Sequence, residues 1–494
     1  MINQLERQAS TTRAARTPEA AVHGRRWRHP WQVGFLCMAA ALLGGCAALP
    51  PDTGFAAVQQ AAKERTGMDL VLADGADALD TVARRVGALL AQPLSADAAV
   101  QVALLNHRGL QATLQDLGIS QAQAVQATRL PNPGFSFGRN RSGDEREIER
   151  GLHLNLARLF ALPMIARIES RRLQQVQGAV TLAVLNTAAD TRKAYIQAVA
   201  AEETVRYMQQ VMQAAQASAE LARRMAAVGN FNKLQRAREQ GFYAEAALNL
   251  ARAQNQQRAT RERLTRLLGL WGAQIQFALP ERLPELPRQP LDQPDIESVA
   301  LAQRIDVAGA RAAAEQAARN LTLVRSTRFI SVLEGGVSSS SSNEGHRQRG
   351  WEVGIELPLF DGGGARIAQA QAMAQQAEHR AAQVAIDARS EVREAYGNYR
   401  SAWDIARHHF EEVVPLRKLI AEENVLRYNG MLIGVFELLA DARVQIASVN
   451  AAIEALRDFW LAQADLDMAM VGKPTLAAMT GAASSPAADG GPGH

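Results

Sequence analysis

Cysteine is almost absent, with two in 494 residues. Cys37 lies inside an N-terminal apolar stretch and Cys46 follows it. Neither a disulfide framework nor a cysteine-based metal site is therefore available to the rest of the chain. A charge surplus is missing too. The whole chain is formally +4, but residues 1–45 hold six basic and two acidic residues, and without them 48 of each remain. A balanced chain offers no electrostatic argument for binding nucleic acid. Catalytic groupings are also lacking, since no nucleophile stands with a base at a recognisable spacing. Asp361-Gly362-Gly363-Gly364 lacks the Lys-Ser/Thr that completes a phosphate loop, which argues against nucleotide binding. His408 and His409 adjoin Glu411 and Glu412, yet neighbours on a helix point about 100° apart and do not share a metal. Met208 with Met212, and Met468 with Met470, read as packing rather than soft-metal ligands. The expectation is a protein that is not an enzyme and has no cofactor or metal.

What is present begins with an address. Arg25, Arg26 and Arg28 precede the apolar run Val33 to Leu43, which is too short to span a bilayer. That is the layout of a secretory signal. It ends in Leu43-Gly44-Gly45-Cys46, the pattern of a bacterial lipobox, so residues 1–45 are read as a lipoprotein signal peptide and Cys46 as the lipid attachment site. Residue 47 is alanine rather than an aspartate that would favour inner-membrane retention, which points to the outer membrane.

The mature chain is written twice. Arg192-Lys193-Ala194-Tyr195 recurs as Arg393-Glu394-Ala395-Tyr396, Leu152, Leu154 and Leu156 recur as Val353, Ile355 and Leu357, and Gly229 recurs as Gly430. Units of this size are duplicated half-domains, since solenoid repeats run only about 20–50 residues. Residues 95–272 form the first copy and 296–473 the second. A segment 46–94 precedes them, a proline-rich linker 273–295 joins them, and a tail 474–494 is expected to be disordered.

Within each copy, one stretch is nearly free of helix breakers. Pro163 to Ala227 and Gly364 to Tyr428 are rich in Ala, Gln, Glu and Arg, and Pro415 alone interrupts them. Each would reach on the order of 100 Å as a helix at about 1.5 Å per residue. No core of this size buries such a helix along its length, so it needs partners in a coiled coil or tube. Return helices are available: Leu439, Ala442, Ile446, Val449, Ile453, Leu456 and Trp460 step by three and four, and Leu234, Ala237, Gly241, Ala244, Leu248 and Ala251 do the same. The hairpin turns are then Val228-Gly229-Asn230 and Asn429-Gly430-Met431, with glycine or asparagine in the left-handed conformation.

Between helices the period changes to two. Phe135 and Phe137, then Leu152, Leu154 and Leu156, then Trp351, Val353, Ile355 and Leu357 alternate with small or polar residues. Each copy thus supplies one β-hairpin, its partner strands drawn from Phe135–Gly138 and Phe329–Val337 across polar loops at Asn140–Glu147 and Ser338–Arg349. Strands of about ten residues with one apolar face suit an outer-membrane barrel, with the nine apolar residues named here facing lipid. Four strands cannot close by themselves, and open edges are not tolerated in lipid, so oligomerisation is required.

These strings, in this order, resemble the TolC-type outer-membrane efflux proteins from about Ser95 to Lys473. Leu130-Pro131-Asn132-Pro133 opens the first barrel hairpin, and Leu357-Pro358-Leu359-Phe360-Asp361-Gly362-Gly363 closes the second. Gln303-Arg304-Ile305-Asp306-Val307 looks like the family's Arg-Pro-Asp-Leu with Ile305 in place of proline, and Arg427-Tyr428-Asn429-Gly430 precedes the second tip. The resemblance implies a mainly α fold with a small β part. Long antiparallel hairpins form a periplasmic α-barrel, and four strands per chain join a homotrimeric, twelve-stranded outer-membrane barrel. It also implies partners: an inner-membrane transporter and a periplasmic adaptor that docks at the tips. Gly229, Asn230, Phe231 and Asn232, with Gly430, Met431, Leu432 and Ile433, are the adaptor-contact candidates. In relatives, acidic residues shortly after the second tip ring the tunnel. Here the usual positions are Phe436 and Leu439, so the nearby acids Glu437 and Asp441 are nominated as the lumen gate. Other readings remain open: an envelope lipoprotein acting as a helical scaffold without a pore, or the outer-membrane component of type I protein secretion. The cargo, whether drug, metal ion, metabolite or polypeptide, is likewise open.

Overall fold

A computed structural model describes residues 54–327, 333–355 and 362–474. Residues 1–45, read above as a signal peptide, Cys46, Phe329, the segment Leu357 to Asp361 and the tail beyond residue 474 lie outside them. Helices α1 (Phe55–Thr66), α2 (Ala76–Leu90), α3 (Ala96–Asn106) and α4 (Arg108–Thr128) lead into strands β1 (Gly134–Ser142) and β2 (Glu145–Asn155). Then come α5 (Leu156–Ala227) and its return α6 (Lys233–Leu268). The second copy repeats the order with α7 (Ile296–Gln303), α8 (Ile305–Ser326), β3 (Leu333–Ser342), β4 (Arg347–Ile355), α9 (Gly364–His408), a π-helical turn (His409–Val413), α10 (Val414–Asn429) and α11 (Val435–Ala469).

The four strands form one antiparallel sheet in the order β1-β2-β3-β4. They are longer than the alternation indicated. The segments read as polar loops are themselves strand, paired as far as Ser142↔Glu145 and Ser341↔Arg347. Alternation of apolar residues fades there because the serines of Ser338–Ser342 are polar on both faces, while the backbone ladder continues regardless. Asn343 fastens the two turns together: its side chain accepts from the Arg146 N–H at 2.8 Å and donates to the Asp144 carbonyl at 2.9 Å.

Helix α5 runs 72 residues, about 110 Å at about 1.5 Å per residue, and passes through Pro163 rather than starting there. Its start is fixed by Asn155, whose side chain accepts from the Arg158 N–H. The second copy's counterpart is broken. Pro415 has no N–H to donate back along the helix, and just before it Val414 donates five residues back to the His409 carbonyl, the mark of a π turn.

That turn absorbs one extra residue. At the first tip, the Asn230 N–H reaches the Met225 carbonyl at 2.9 Å, and at the second the equivalent bond is Leu432 to Arg427, a separation of 202 rather than 201. The left-handed position slips with it. Gly229 has φ 81° as expected, but Gly430 has φ −80° and Met431, at φ 58°, makes the turn.

Helix α11 packs as read, between α5 and α9, with Ile453 and Leu456 buried. The stripe assigned to α6 does not. Leu234 and Leu248 are exposed, and Glu239, Phe242 and Ala246 face α5 and α11 instead. Three-and-four spacing marks a stripe without telling which neighbour it meets.

Candidate functional site

Register sorts the sheet into two chemical faces. Leu152 stands opposite Phe135 and Val337, and Val337 opposite Trp351; Gly335 stands opposite Leu154 and Val353. One face therefore carries Phe135, Phe137, Leu152, Leu154, Val337, Trp351, Val353 and Ile355 on the half nearer the helices, and toward the turns Ile148 with Arg139, Arg141, Arg146, Arg150, Arg347 and Arg349. Trp351 is 79% and Phe135 68% exposed within the single chain. The other face carries Ser136, Asn140, Glu149, His153, Ser338 and Glu352. Leu156 leaves the strand but not the apolar face. It is the first residue of α5, and its Cδ1 lies where a Cβ on Gly335 would come within 2.8 Å, so it packs over β3 on the face that Leu154 and Val353 share. Within the chain, the outer edges of β1 and β4 pair with nothing described.

Below the sheet, the proline-rich linker belts one side of the helices. The indole N–H of Trp403 donates to the Pro287 carbonyl at 2.9 Å, that of Trp460 to the Pro284 carbonyl at 3.0 Å, and the Tyr399 hydroxyl accepts from the Leu291 N–H at 2.8 Å. Burial nearby pushes the Tyr195 phenol up to about 12. A separate trough of about 500 Å³ crosses α5, α6, α9 and α11, lined by both apolar and polar residues, among them Gln197, Gln256, Arg263, Asn398, Arg457 and Asp458.

At the tips, the first hairpin turns on Gly229 and restarts with a capping box, Asn232 and Gln235 each accepting the other's backbone N–H at 2.8 Å. Asn230 is exposed and Phe231 half-buried. The second tip has no side-chain cap, and Met431 and Leu432 are 93% and 76% exposed, with Ile433 half-buried. Of the two acids nominated as gate, Glu437 is exposed in the first turn of α11, where a carboxylate suits the helix dipole. Asp441 is half-buried and accepts from the Asn424 amide of α10. The neighbouring histidines divide as geometry requires: His408 reaches Glu412 at 3.2 Å, whereas half-buried His409 has its pKa lowered by burial and by His408.

Three buried ionic ties escaped sequence reading. Glu239 of α6, 2% exposed, accepts from Arg443 of α11 at 3.1 Å and from Ser218 of α5 at 2.7 Å, and the Arg443 guanidinium lies 4.4 Å from the centre of the Phe242 ring. Lys193 of α5 meets Asp465 of α11 at 2.8 Å. Arg304, the cap of α8, is 2% exposed and joins Asp306 at 2.6 Å, Glu391 of α9 at 2.7 Å and the Ala469 carbonyl at 3.2 Å. A signal existed for one of them. Lys193 is the position at which the repeated Arg-Lys-Ala-Tyr becomes Arg-Glu-Ala-Tyr, so the two copies had to differ in partner there.

Residues 296–413 match the family model described as outer membrane efflux protein. No curated protein sequence matches the chain. Among solved structures, the fold is similar to the outer membrane protein VceC of Vibrio cholerae, at 16% identity and TM-score 0.64 over 76% of this chain and 96% of that one. It is similar to the CmeC outer membrane channel of Campylobacter jejuni, at 16% and 0.62 over 81% and 89%. It is also similar to the MtrE outer membrane channel of Neisseria gonorrhoeae in its open state, at 19% and 0.58 over 76% and 88%.

Proposed function

We propose that this chain, whose residues 296–413 belong to the outer membrane efflux protein family and whose fold is that of solved outer-membrane efflux channels, is the exit duct of a tripartite efflux system. It conducts cargo passively and catalyses nothing. The observation that carries this reading is the sheet: its apolar side chains all on one side, in a band on the half nearer the helices, and open at both edges, set on helical hairpins far longer than any core needs. In lipid an open edge leaves backbone groups unpaired at several kcal/mol each, so single sheets do not persist there. Three copies supply twelve strands, enough to close a wall around water.

The duct stands in the outer membrane, is anchored by an acyl group on Cys46, and extends into the periplasm. An inner-membrane transporter delivers cargo, and a periplasmic adaptor docks on the tips at Gly229–Asn232 and Gly430–Ile433. Exposed Met431 and Leu432 support that docking, since apolar side chains at a tip leave a surface for a partner. Glu437 and Asp441 form the gate, with Glu437 reaching the water path and Asp441 setting the distance between α10 and α11 through Asn424.

Purified protein in planar bilayers tests the reading. A duct gives discrete, long-lived conductance steps, whereas a poreless scaffold gives none. Replacing Glu437 and Asp441 together by alanine is expected to reduce cation selectivity in the same recording, and unchanged selectivity would remove them from the gate.

A further inference from the structure

The chain holds a template for its own joint. The hairpin β1–β2 and the hairpin β3–β4 are copies related by fixed offsets. The sequence duplication carries Leu152 and Leu154 onto Val353 and Ile355, an offset of 201 for β2, and the ladders then require 200 for β1, which turns Phe135↔Leu152 and Arg139↔Ile148 into the observed Gly335↔Val353 and Ser339↔Arg349. The seam between the copies, β2 against β3, is therefore one instance of a joint between successive hairpins. Its apolar-face pairs are Leu154↔Gly335, Leu152↔Val337 and Arg150↔Ser339.

Applied once more, the same offsets carry β2 onto β4 and return β3 to β1. The β1 edge thus reached is unpaired within the chain, so a second copy must supply it. The geometry points to one specific joint between copies: β4 of one chain pairs antiparallel with β1 of the next, with Ile355 opposite Phe135, Val353 opposite Phe137 and Trp351 opposite Arg139. This inference rests on the sheet being part of a closed wall and adds the register of that closure.

The chemistry of the paired residues agrees with the offsets. All six lie on the face of the apolar band, so the band continues across the joint through Ile355, Phe135, Val353 and Phe137 and ends at Trp351 and Arg139. Ile355 and Val353 meet aromatic rings, the kind of cross-strand pair that stabilises a sheet. Trp351 receives a guanidinium, which favours the face of an indole. On the opposite face Gly354 meets Ser136 and Glu352 meets Gly138, keeping small residues beside the carboxylate. A slip of one residue would set Val353 against Ser136 or Gly138 and turn an apolar row toward the polar face.

Cysteine pairs in the full-length protein read this register directly. Val353→Cys is combined in turn with Phe135→Cys, Phe137→Cys and Arg139→Cys, oxidised in detergent, and resolved by mass on a denaturing gel. Disulfides need Cα atoms within about 7 Å, and each two-residue step moves the partner by about 7 Å along the strand. Phe137→Cys is therefore expected to give on the order of tenfold more inter-subunit product than either alternative. Leu152→Cys with Val337→Cys is the internal standard, since it reproduces the same joint within one chain and leaves the mass unchanged. Because membrane-face cysteines can impair insertion, Gly354→Cys with Ser136→Cys reads the same register from the polar face.

A maximum at Phe135→Cys or Arg139→Cys would overturn the register while leaving a closed ring. A trimer by native mass that forms no cross-link with either set would overturn the β4–β1 joint itself. A monomer with no cross-link would overturn the register and the duct reading together.

Discussion

The two helical hairpins descend from one duplicated unit and are held to different standards of rigidity. The first descends as an unbroken 72-residue helix, turns on a glycine in the left-handed region, and restarts with a capping box. The second descends through a π turn ahead of Pro415, turns on a methionine at φ 58°, and restarts from Gly434 without a side-chain cap. Each difference removes local stability from the second hairpin, by about 1 kcal/mol for a lost cap and about 1–2 for a non-glycine residue in the left-handed region. What remains to hold it near the tips is long-range. Arg443 grips Glu239 across the boundary between hairpins, and Asn424 grips Asp441 within the second. The lesson is a division of labour, in which a stiff arm defines position and a looser arm depends on a few removable ties.

The largest expected change comes from cutting the tie. Arg443→Ala leaves the Glu239 carboxylate buried with only Ser218 as partner and is expected to cost about 3–5 kcal/mol. Hydrogen exchange checks it: α11 should lose protection near its tip while α5 keeps most of its own. Equal loss in both arms would end the distinction between them.

Exchanging the breaker comes next. Allowing for the extra residue of the π turn, Gln213 stands in α5 where Pro415 stands in the second copy, and Gln213→Pro is expected to cost about 3 kcal/mol in thermal unfolding. Pro415→Ala should cost nothing, and should protect the amides following Phe410 from exchange as the π turn closes to α.

The tip swap is smaller and opposite in sign. Met431→Gly is expected to stabilise by about 1 kcal/mol, because glycine adopts the left-handed region without strain. Gly229→Ala should destabilise by about the same amount for the converse reason. If both shift the midpoint in one direction, the strain assigned to Met431 is wrong.

The smallest effect compares the two caps above the hairpins. His107 caps α4 by accepting from the Leu110 N–H at 3.1 Å, and burial lowers its pKa from 6.5. A group with a depressed folded pKa is neutral in the fold, so its contribution is present above pH about 6.5 and is lost as pH falls below that. Arg304, which holds the same N-cap position of α8 in the second copy without a side-chain cap bond, stays charged throughout. Melting of wild type should decline modestly between pH 7.5 and pH 5.5, and His107→Asn, which caps without titrating, should flatten that part of the curve.

Much of this architecture was legible because it is periodic. The duplication announced the two hairpins, the lack of breakers announced α5 and α9, and alternation announced the apolar face of the sheet. The rest depended on forces that leave no period. Strands continued through Ser338–Ser342 because backbone pairing does not need apolar side chains. The stripe Leu234 to Ala251 was a genuine pattern assigned to the wrong neighbour, since spacing fixes a face and not its partner. Leu156 kept the strand's alternation one residue beyond Asn155, where the cap had already begun the helix. The ionic ties bring together residues as far apart as 204 and 272 positions, and only the folded chain places them.

The displaced turn has a consequence for how such a pair of arms diverges. Counted from Tyr195 and Tyr396, the second descending arm holds one residue more than the first before its turn, and its return helix is 35 residues long against 36. The two segments nonetheless keep one overall length, since their return helices end at Leu268 and Ala469, 201 residues apart. A single residue has passed around the bend from one limb to the other, altering by one helical step, about 100° and 1.5 Å, which side chains confront each other across that hairpin. Twin gene segments of identical length can thus acquire different windings, and the genome records the event only as a glycine left one place short of the bend.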